Sequence, residues 1–137
     1  MNEGWTSIQI IFTEIGGWLR WFLGGYDGAL FALVVFVVID YITAIMCAVV
    51  DKKMSNAVGF KGIFNKMLIF VLVGTGHILD TCIIDVNPVL RTAVIFFYIS
   101  SEGISFLENA SRLGLPIPKK LKTILEQLHD LSEKENK

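Results

Sequence analysis

The sequence predicts an all-α membrane protein, because it contains three long apolar stretches and is rich in hydrophobic residues throughout. The stretches are residues 28–50, 63–84 and 88–107. A helix needs about 20 mostly apolar residues to cross the hydrocarbon core of a bilayer, and each stretch is long enough. Hydrophobic residues make up 53% of the chain and charged residues 18%, which is too apolar for an ordinary soluble domain. We therefore expect a single membrane domain, residues 1–137, with three transmembrane helices.

Residues 5–23 predict an N-terminal amphipathic helix that lies in the membrane interface. Large apolar side chains recur at steps of three and four residues, as on one face of a helix: Trp5, Ile8, Phe12, Ile15, Leu19 and Phe22. Tryptophan is enriched at the level of the lipid headgroups. The candidate interfacial anchors are Trp5, Trp18 and Trp21. The alternative is a fourth span, which must bury Glu14 and Arg20 at about 2.5–3.5 kcal/mol for each charge placed centrally, and which would move the N-terminus inside.

A flexible corner is expected between this helix and the first span. Gly24, Gly25 and Gly28 surround Tyr26 and Asp27. Aspartate is a favoured N-cap residue, so Asp27 is placed to cap the first span. The corner turns the chain from the membrane surface into the bilayer.

A helix break separates the third span from a short C-terminal helix, residues 118–131. Gly114 suits a helix C-cap, and Pro116 and Pro118 lack amide donors. Apolar residues then recur at helical spacing: Leu121, Ile124, Leu125, Leu128 and Leu131. We expect a cytoplasmic amphipathic helix that packs on a second copy of itself or on the inner leaflet.

The distribution of basic residues predicts the orientation, because connections rich in lysine and arginine stay in the cytoplasm. The first connection contains Lys52, Lys53 and Lys61, whereas the second contains Asp80 and Asp85. Four basic residues follow the third span: Arg112, Lys119, Lys120 and Lys122. We expect a multi-pass membrane protein with its N-terminus outside and its C-terminus in the cytoplasm.

Ionisable residues inside the spans are the candidate functional residues, since such residues are costly in lipid and need partners. Asp40 lies about 18 Å along the first span at 1.5 Å per residue, beyond the bilayer centre. Lys66 and Glu102 lie at a similar depth on the other two spans, and we expect the three to meet. A second set is expected in the outer half: His77, Asp80 and Arg91. Helix contact, pore lining and protonation-linked gating are all possible roles for these residues.

One polar stripe runs along the third span. It consists of Arg91, Tyr98, Glu102, Ser105 and Asn109, at spacings that place them on one helix face. The stripe is equally compatible with water in an oligomeric channel and with a neighbouring helix. On the first span, Ala44 and Ala48 follow Asp40 at four-residue steps and are candidates for close helix contact.

The sequence offers no pattern for catalysis, cofactor binding, metal binding or nucleic-acid binding. His77 and His129 would lie in different compartments, and no metalloprotease, thiol or phosphate-loop motif occurs. Cys47 and Cys82 would lie at opposite membrane faces and are too few for a zinc site. The basic residues of the tail are interleaved with acidic ones, which does not favour nucleic acid. We expect a protein that is not an enzyme.

Several short motifs can be compared with known proteins. They are residues 40–43 (DYIT), 58–63 (VGFKGI), 76–80 (GHILD), 102–109 (EGISFLEN) and 114–121 (GLPIPKKL). From about residue 24 to about residue 128, these motifs resemble, in order and spacing, the phage holins that include the clostridial toxin-secretion holin. Ala44 stands where the family is expected to have glycine, and Ser101 stands where asparagine is usual.

The resemblance implies a pore former of the cytoplasmic membrane of a Gram-positive host. Such a protein forms homo-oligomers and opens lesions through which an endolysin or a large toxin leaves the cell as cargo, without specific binding. The matching residues, with structural or gating roles, are Asp40, Lys61, Lys66, His77, Asp80, Glu102, Glu108 and Asn109. Two other functions stay open: a membrane scaffold or accessory subunit that makes no hole, and a small ion channel.

Overall fold

The computed structural model describes residues 2–52, 56–84 and 87–135. The described residues form five α-helices: α1 (Asn2–Leu23), α2 (Gly28–Val50), α3 (Asn56–Leu79), α4 (Val89–Arg112) and α5 (Lys119–Glu135). A π-helical turn, Asp80–Ile84, continues α3. No strand occurs in these ranges, so the predicted all-α class is confirmed.

Three helices are long and apolar enough to cross a membrane: Gly28–Val50, Gly59–Ile83 and Val89–Arg112. The first matches the predicted bounds. The third was expected to end at Leu107, but α4 continues to Arg112 because no helix-breaking residue occurs before Gly114. Lys53 and Asp85, which contribute to the predicted orientation, lie outside the described residues.

Helix α4 is the centre of the bundle, and it packs against α2, α3 and α5. The apolar core lies where α2, α3 and α4 meet. Its buried members are Leu30, Leu33, Val37, Ile69, Val73, Ile95 and Ile99. Lipid chains are as apolar as these side chains, so close packing, rather than removal from water, stabilises such a contact inside a membrane.

Helices α2 and α4 run in the same direction, side by side. Arg91 near the start of α4 contacts Asp27 just before α2, with Nη1 2.9 Å from Oδ2. Arg112 at the end of α4 lies 3.7 Å from Asp51, just after α2. We call the two ends of the bundle the Asp27 end and the Asp51 end. Since α2 is long and apolar enough to cross a membrane, the part of α4 beside it belongs to the same membrane depth.

Helix α1 is attached to the bundle at its last turn only. None of its described residues is buried, and Trp5, Trp18 and Trp21 are 60–67% exposed. The ring of Phe22 lies over Gly74 of α3, where a Cβ atom would overlap it. Helix α1 is not among the described helices that are long and apolar enough to cross a membrane, and its placement in the membrane interface stays a prediction.

The corner between α1 and α2 depends on two glycines with positive φ. Gly24 and Gly25 have φ values of +86° and +102°, which other residues rarely adopt. The Gly25 amide donates to the Arg20 carbonyl over 2.8 Å and closes the end of α1. Asp27 Oδ1 accepts from the Leu30 amide at 2.9 Å, so the predicted cap of α2 is confirmed.

The end of α4 is a glycine-terminated helix end of the Schellman type. Gly114 has a φ of +94°, and the amide of Leu115 donates to the carbonyl of Ala110 over 3.0 Å. The predicted break is therefore present. It reverses the chain direction, and α5 begins at Lys119 directly after Pro118.

Helix α5 packs back along α4, antiparallel to it. Leu125 is 6% exposed, and its Cδ1 lies 3.0 Å from where a Cβ atom on Gly103 would be. The ring of His129 lies 5.0 Å from that of Phe97, measured between centroids. The sequence predicted a second copy or the inner leaflet as the packing partner of this helix, whereas within the chain its partner is α4.

Candidate functional site: two charged clusters between the helices

Four polar side chains from three helices meet in the half of the bundle nearer the Asp51 end. They are Asp40 of α2, Lys66 of α3, and Glu102 and Asn109 of α4, and we call them the span cluster. Lys66 Nζ lies 2.6 Å from Asp40 Oδ2 and 2.5 Å from Glu102 Oε2. The side chains of Asp40 and Glu102 are only 5% and 8% exposed. The expected meeting of Asp40, Lys66 and Glu102 is thus present in the structure.

Asn109 completes the span cluster from about two helical turns beyond Glu102. Its Nδ2 donates to Asp40 Oδ1 and to Thr43 Oγ1, each over 3.0 Å. The Cys47 thiol in turn donates to the Asn109 carbonyl over 3.4 Å. The sequence analysis did not assign Thr43 or Cys47 a role, although both lie on α2 within two turns of Asp40.

The span cluster holds two carboxylates and one ammonium group. Removing both partners of a buried ion pair is often tolerated, but removing one partner leaves an uncompensated buried charge at about 3–5 kcal/mol. Lys66 is the single cation between two acceptors, so its loss would be the most damaging change in the span cluster. The arrangement fixes α2, α3 and α4 relative to one another.

A cavity of about 320 Å³ lies beside the span cluster, between α2 and α3. Asp40, Ala44, Lys61 and Lys66 are among its lining residues, which brings a second lysine close to the cluster. Ala44 is exposed and Ala48 is half-buried. Ala44 therefore makes no tight helix contact within one chain, and a contact with another subunit stays a prediction.

A second group of charges, which we call the corner cluster, lies at the Asp27 end. Its centre is Arg91, whose side chain is 5% exposed. The guanidinium donates to the Leu23 carbonyl from Nε over 2.5 Å, to the Gly25 carbonyl from Nη2 over 2.9 Å, and to Asp27 from Nη1 over 2.9 Å. The hydrogen bond from Arg91 lowers the pKa of Asp27, and the Leu30 amide lowers it further. Arg91 therefore fixes the α1–α2 corner on the start of α4.

Asp80 belongs to the corner cluster but binds the backbone of α4. Its two carboxylate oxygens accept from the amides of Leu90 and Arg91, each over 2.9 Å. The guanidinium of Arg91 binds Asp27, whereas Asp80 binds the backbone of α4. The reason is that the first amides of α4 have no partners within the helix and attract the nearby carboxylate.

His77 lies at the edge of the corner cluster. A Cβ atom on Gly24 would lie 2.6 Å from His77 Nδ1 and 2.7 Å from Arg91 Nε, so both side chains border that glycine. His77 also lines a cavity of about 320 Å³ with Asp27, Asp80 and Arg91. The structure thus brings the three members of the predicted outer set, His77, Asp80 and Arg91, together at the Asp27 end.

The polar stripe of α4 faces the other helices of the same chain. Arg91, Glu102 and Asn109 are buried and contact α2, α3 or the corner. Tyr98 packs against the apolar core, and Ser105 is half-buried beside Asp40. Between the two arrangements that the sequence left open, helix contact is the one seen within a single chain. A pore-lining role for these residues in an oligomer stays a prediction.

Within the described ranges, no group of three or more His, Cys, Asp or Glu side chains lies close enough to hold a metal ion. Both cysteines are free; Cys47 is buried and Cys82 is exposed. The side chains of the two clusters are joined by ion pairs and hydrogen bonds between helices.

Relatives of the chain occur in bacteria and in a phage. An uncharacterized 14.9 kDa protein of Clostridium perfringens is 38% identical over 117 residues, which cover 85% of this chain and 89% of that protein. An uncharacterized protein of Listeria monocytogenes is 39% identical, over 83% of this chain and 79% of its own length. A protein of Bacillus phage phi105 named as a probable holin is 36% identical, over 80% of this chain and 78% of its own. No solved structure matches the chain.

The match to a protein family covers both clusters. The model of the bacteriophage holin family matches residues 17–130, which include all three spans, the corner and most of α5. The similarity to the phage protein named as a probable holin extends over most of the same region. The chain therefore belongs to the bacteriophage holin family.

Proposed function

We propose that the protein is a holin in the strict sense: a homo-oligomer that opens lesions in the cytoplasmic membrane of its bacterial host. The observation that carries this proposal is the similarity, over 80% of the chain, to a phage protein named as a probable holin. The lesion lets a cell-wall-degrading enzyme that has no export signal of its own reach the wall. In a host that makes a large toxin, the same lesion would release the toxin.

The packing within one chain supports an assembly of several copies. The buried charges of the spans bind partners within the chain, in the span cluster and the corner cluster, and the centre of the bundle is an apolar core. A water-filled path for a folded protein is far wider than any space between three packed helices. Several chains must therefore surround it.

The proposed orientation follows the basic residues. Lys52 and Lys61 flank the connection between α2 and α3, and Arg112 and Lys119 flank the connection between α4 and α5. All four belong to the Asp51 end of the bundle. By the positive-inside rule, the Asp51 end faces the cytoplasm, and the Asp27 end faces outward.

The test is release of a cytoplasmic endolysin in cells that express this chain. The chain and an endolysin without an export signal are co-expressed, and culture turbidity and membrane potential are recorded together. Abrupt lysis that requires both proteins is the expected result. Loss of membrane potential without lysis would identify a small ion channel instead. If neither lysis nor loss of potential occurs although the chain is present in the membrane, the protein would be a scaffold or accessory subunit.

A control variant separates lesion formation from expression. Glu102→Ala removes one carboxylate from the span cluster while Asp40 and Lys66 remain paired. We expect this variant to insert at the native level but to lyse the culture at a different time. Unchanged timing at equal membrane levels would remove Glu102 from the mechanism.

A further inference from the structure

Helix α5 presents two unlike faces, although it lies beside a transmembrane helix. Leu125 and Leu128 face the bundle. A row of charged side chains lies about a third of a turn around the helix from these leucines, at steps of three and four residues, and all of its members are exposed: Lys122, Glu126, Asp130 and Glu133. This row, the charged face of α5, has three acidic members and one basic member.

The contacts with α4 give the depth of the charged face. The Ser100 hydroxyl lies 3.3 Å from His129 Nδ1. Ser100 follows the start of α4 by about 17 Å, which is near the middle of a hydrocarbon core about 30 Å thick. Asp130 is the next residue after His129, so the charged face reaches the middle of the bilayer.

The opposite side of the bundle is apolar at the same depth. Val38 on α2 lies about 15 Å along that helix and is 48% exposed, and Phe64 and Met67 on α3 are 60% and 57% exposed. These apolar side chains are suited to contact with lipid chains. The charged face of α5 is not, because charged groups at the bilayer centre turn toward the interior of a bundle or toward a water-filled cavity.

We propose that the charged face of α5 lines the water-filled side of the assembled lesion, with α5 remaining packed on α4. This inference rests on the proposed function and names the surface that the lesion presents to water. Each chain then acts as one segment of a ring, with α2 and α3 toward lipid and α5 toward the lumen.

The first test asks whether α5 stays on α4 when the lesion is open. In a chain with both native cysteines replaced by serine, Ser100→Cys and His129→Cys place two thiols where side-chain atoms now lie 3.3 Å apart. The disulfide locks α5 in place, and a reducing agent releases it. We expect release of a fluorescent protein from proteoliposomes to be the same, within about twofold, in the oxidised and reduced states.

The second test asks whether the charged face meets water. Single cysteines are placed at Asp130 and, as a matched control of similar depth and exposure, at Val38. A charged, membrane-impermeant thiol reagent is added to vesicles with open lesions. We expect Asp130→Cys to react at least about tenfold faster than Val38→Cys, because a thiol must ionise in water before it reacts.

The outcomes separate this inference from the proposed function. Release that stops on oxidation and returns on reduction would mean that α5 leaves α4, which overturns the inference and leaves the holin function intact. Equal, slow labelling of the two cysteines would overturn it as well. Absence of release from the native chain would instead reject the proposed function. If Ser100→Cys/His129→Cys is inactive when reduced, Gly103→Cys/Leu125→Cys provides a second lock on the same helix pair.

Discussion

The two charged clusters of this protein differ in what their side chains bind. In the corner cluster, Arg91 donates to two backbone carbonyls, and Asp80 accepts from two backbone amides. In the span cluster, Lys66 binds the carboxylates of Asp40 and Glu102, side chain to side chain. The corner cluster completes the hydrogen bonding of helix ends, whereas the span cluster joins the middles of three helices. A substitution in the corner cluster should therefore affect only the nearby helix ends. A substitution in the span cluster should weaken the packing of α2, α3 and α4 against one another.

The largest effect is expected from Lys66→Met. This change leaves two carboxylates buried without a cation and should destabilise the bundle by about 3–5 kcal/mol. The probe is Cys47, which is 6% exposed and bonds to Asn109 of the span cluster. In a Cys82→Ser background, a small membrane-permeant thiol reagent should modify Cys47 at least about a hundredfold faster.

Lys61→Met is the matched control for that experiment. Lys61 lies on the same helix and lines the same cavity, but its side chain is exposed. Its loss should change the reactivity of Cys47 by less than about threefold, since surface substitutions usually fall within about 0.5 kcal/mol. Equal effects of Lys66→Met and Lys61→Met on Cys47 reactivity would show that the ion pairs of Lys66 do not hold the bundle together.

Arg91→Lys should have the next largest effect, and it tests whether the corner cluster is local. Lysine keeps the charge but has no fork of donors for two carbonyls and a carboxylate, so we expect a loss of about 1.5–3 kcal/mol. Amide hydrogen exchange across residues 20–30 should become faster. Cys47 should react as before, because Asp27 and Asp40 are about 20 Å apart along α2. A parallel rise in Cys47 reactivity would show that the two clusters are coupled.

Asp80→Ala tests the backbone contacts of the corner cluster by themselves. It removes the acceptor of two amides at the start of α4, at a cost of about 0.5–2 kcal/mol. Hydrogen exchange at Leu90 and Arg91 should rise, with little change in the middle of α4. Asp80→Asn retains one acceptor oxygen and should lose less stability than Asp80→Ala. Native hydrogen-exchange rates at Leu90 and Arg91 in Asp80→Ala would contradict the capping role of Asp80.

The smallest effect is expected from Asp27→Asn. Asparagine still caps α2 through its oxygen, Asp27 is exposed, and the buried guanidinium of Arg91 keeps its two carbonyl acceptors, so the change should cost about 1 kcal/mol. The pKa of Asp27 is lowered from 3.8 by the hydrogen bond from Arg91. The stabilising effect of the charge is therefore complete above that value and is lost as the pH falls through the lowered pKa.

The pH dependence is measured as the difference in thermal unfolding midpoint between the native chain and Asp27→Asn. A small difference at about pH 6 should disappear at a pH well below 3.8, where Asp27 is protonated in the native chain as well. A difference that persists unchanged in acid would mean that the asparagine acts through the helix cap rather than through the charge.

The sequence predicted the span cluster more fully than the corner cluster, for a physical reason. Charged residues in lipid need charged partners, and the constant rise of a helix gives the depth of each candidate, so Asp40, Lys66 and Glu102 could be matched. The partners of Arg91 are carbonyls of Leu23 and Gly25. Every residue has a carbonyl, so no residue type indicates which ones a guanidinium will reach.

The direction of α5 was not predictable from its amphipathic pattern. The pattern gives an apolar face, but it does not say which surface will cover that face. Gly114 reverses the chain at the end of α4, and Gly103 leaves room for Leu125 on the central helix. That contact depends on the three-dimensional arrangement of the break and on a glycine that is distant in sequence.

The contact between Phe22 and Gly74 constrains how the sequence of α1 can change in evolution. Only the last turn of α1 touches the bundle, and the match to the holin family begins at residue 17, shortly before that turn. The described side chains of the earlier turns are not buried, so the packing of the bundle constrains them less than it constrains Phe22. Substitutions that keep an aromatic residue at position 22 and a glycine at position 74 would therefore keep the N-terminal arm attached to α3.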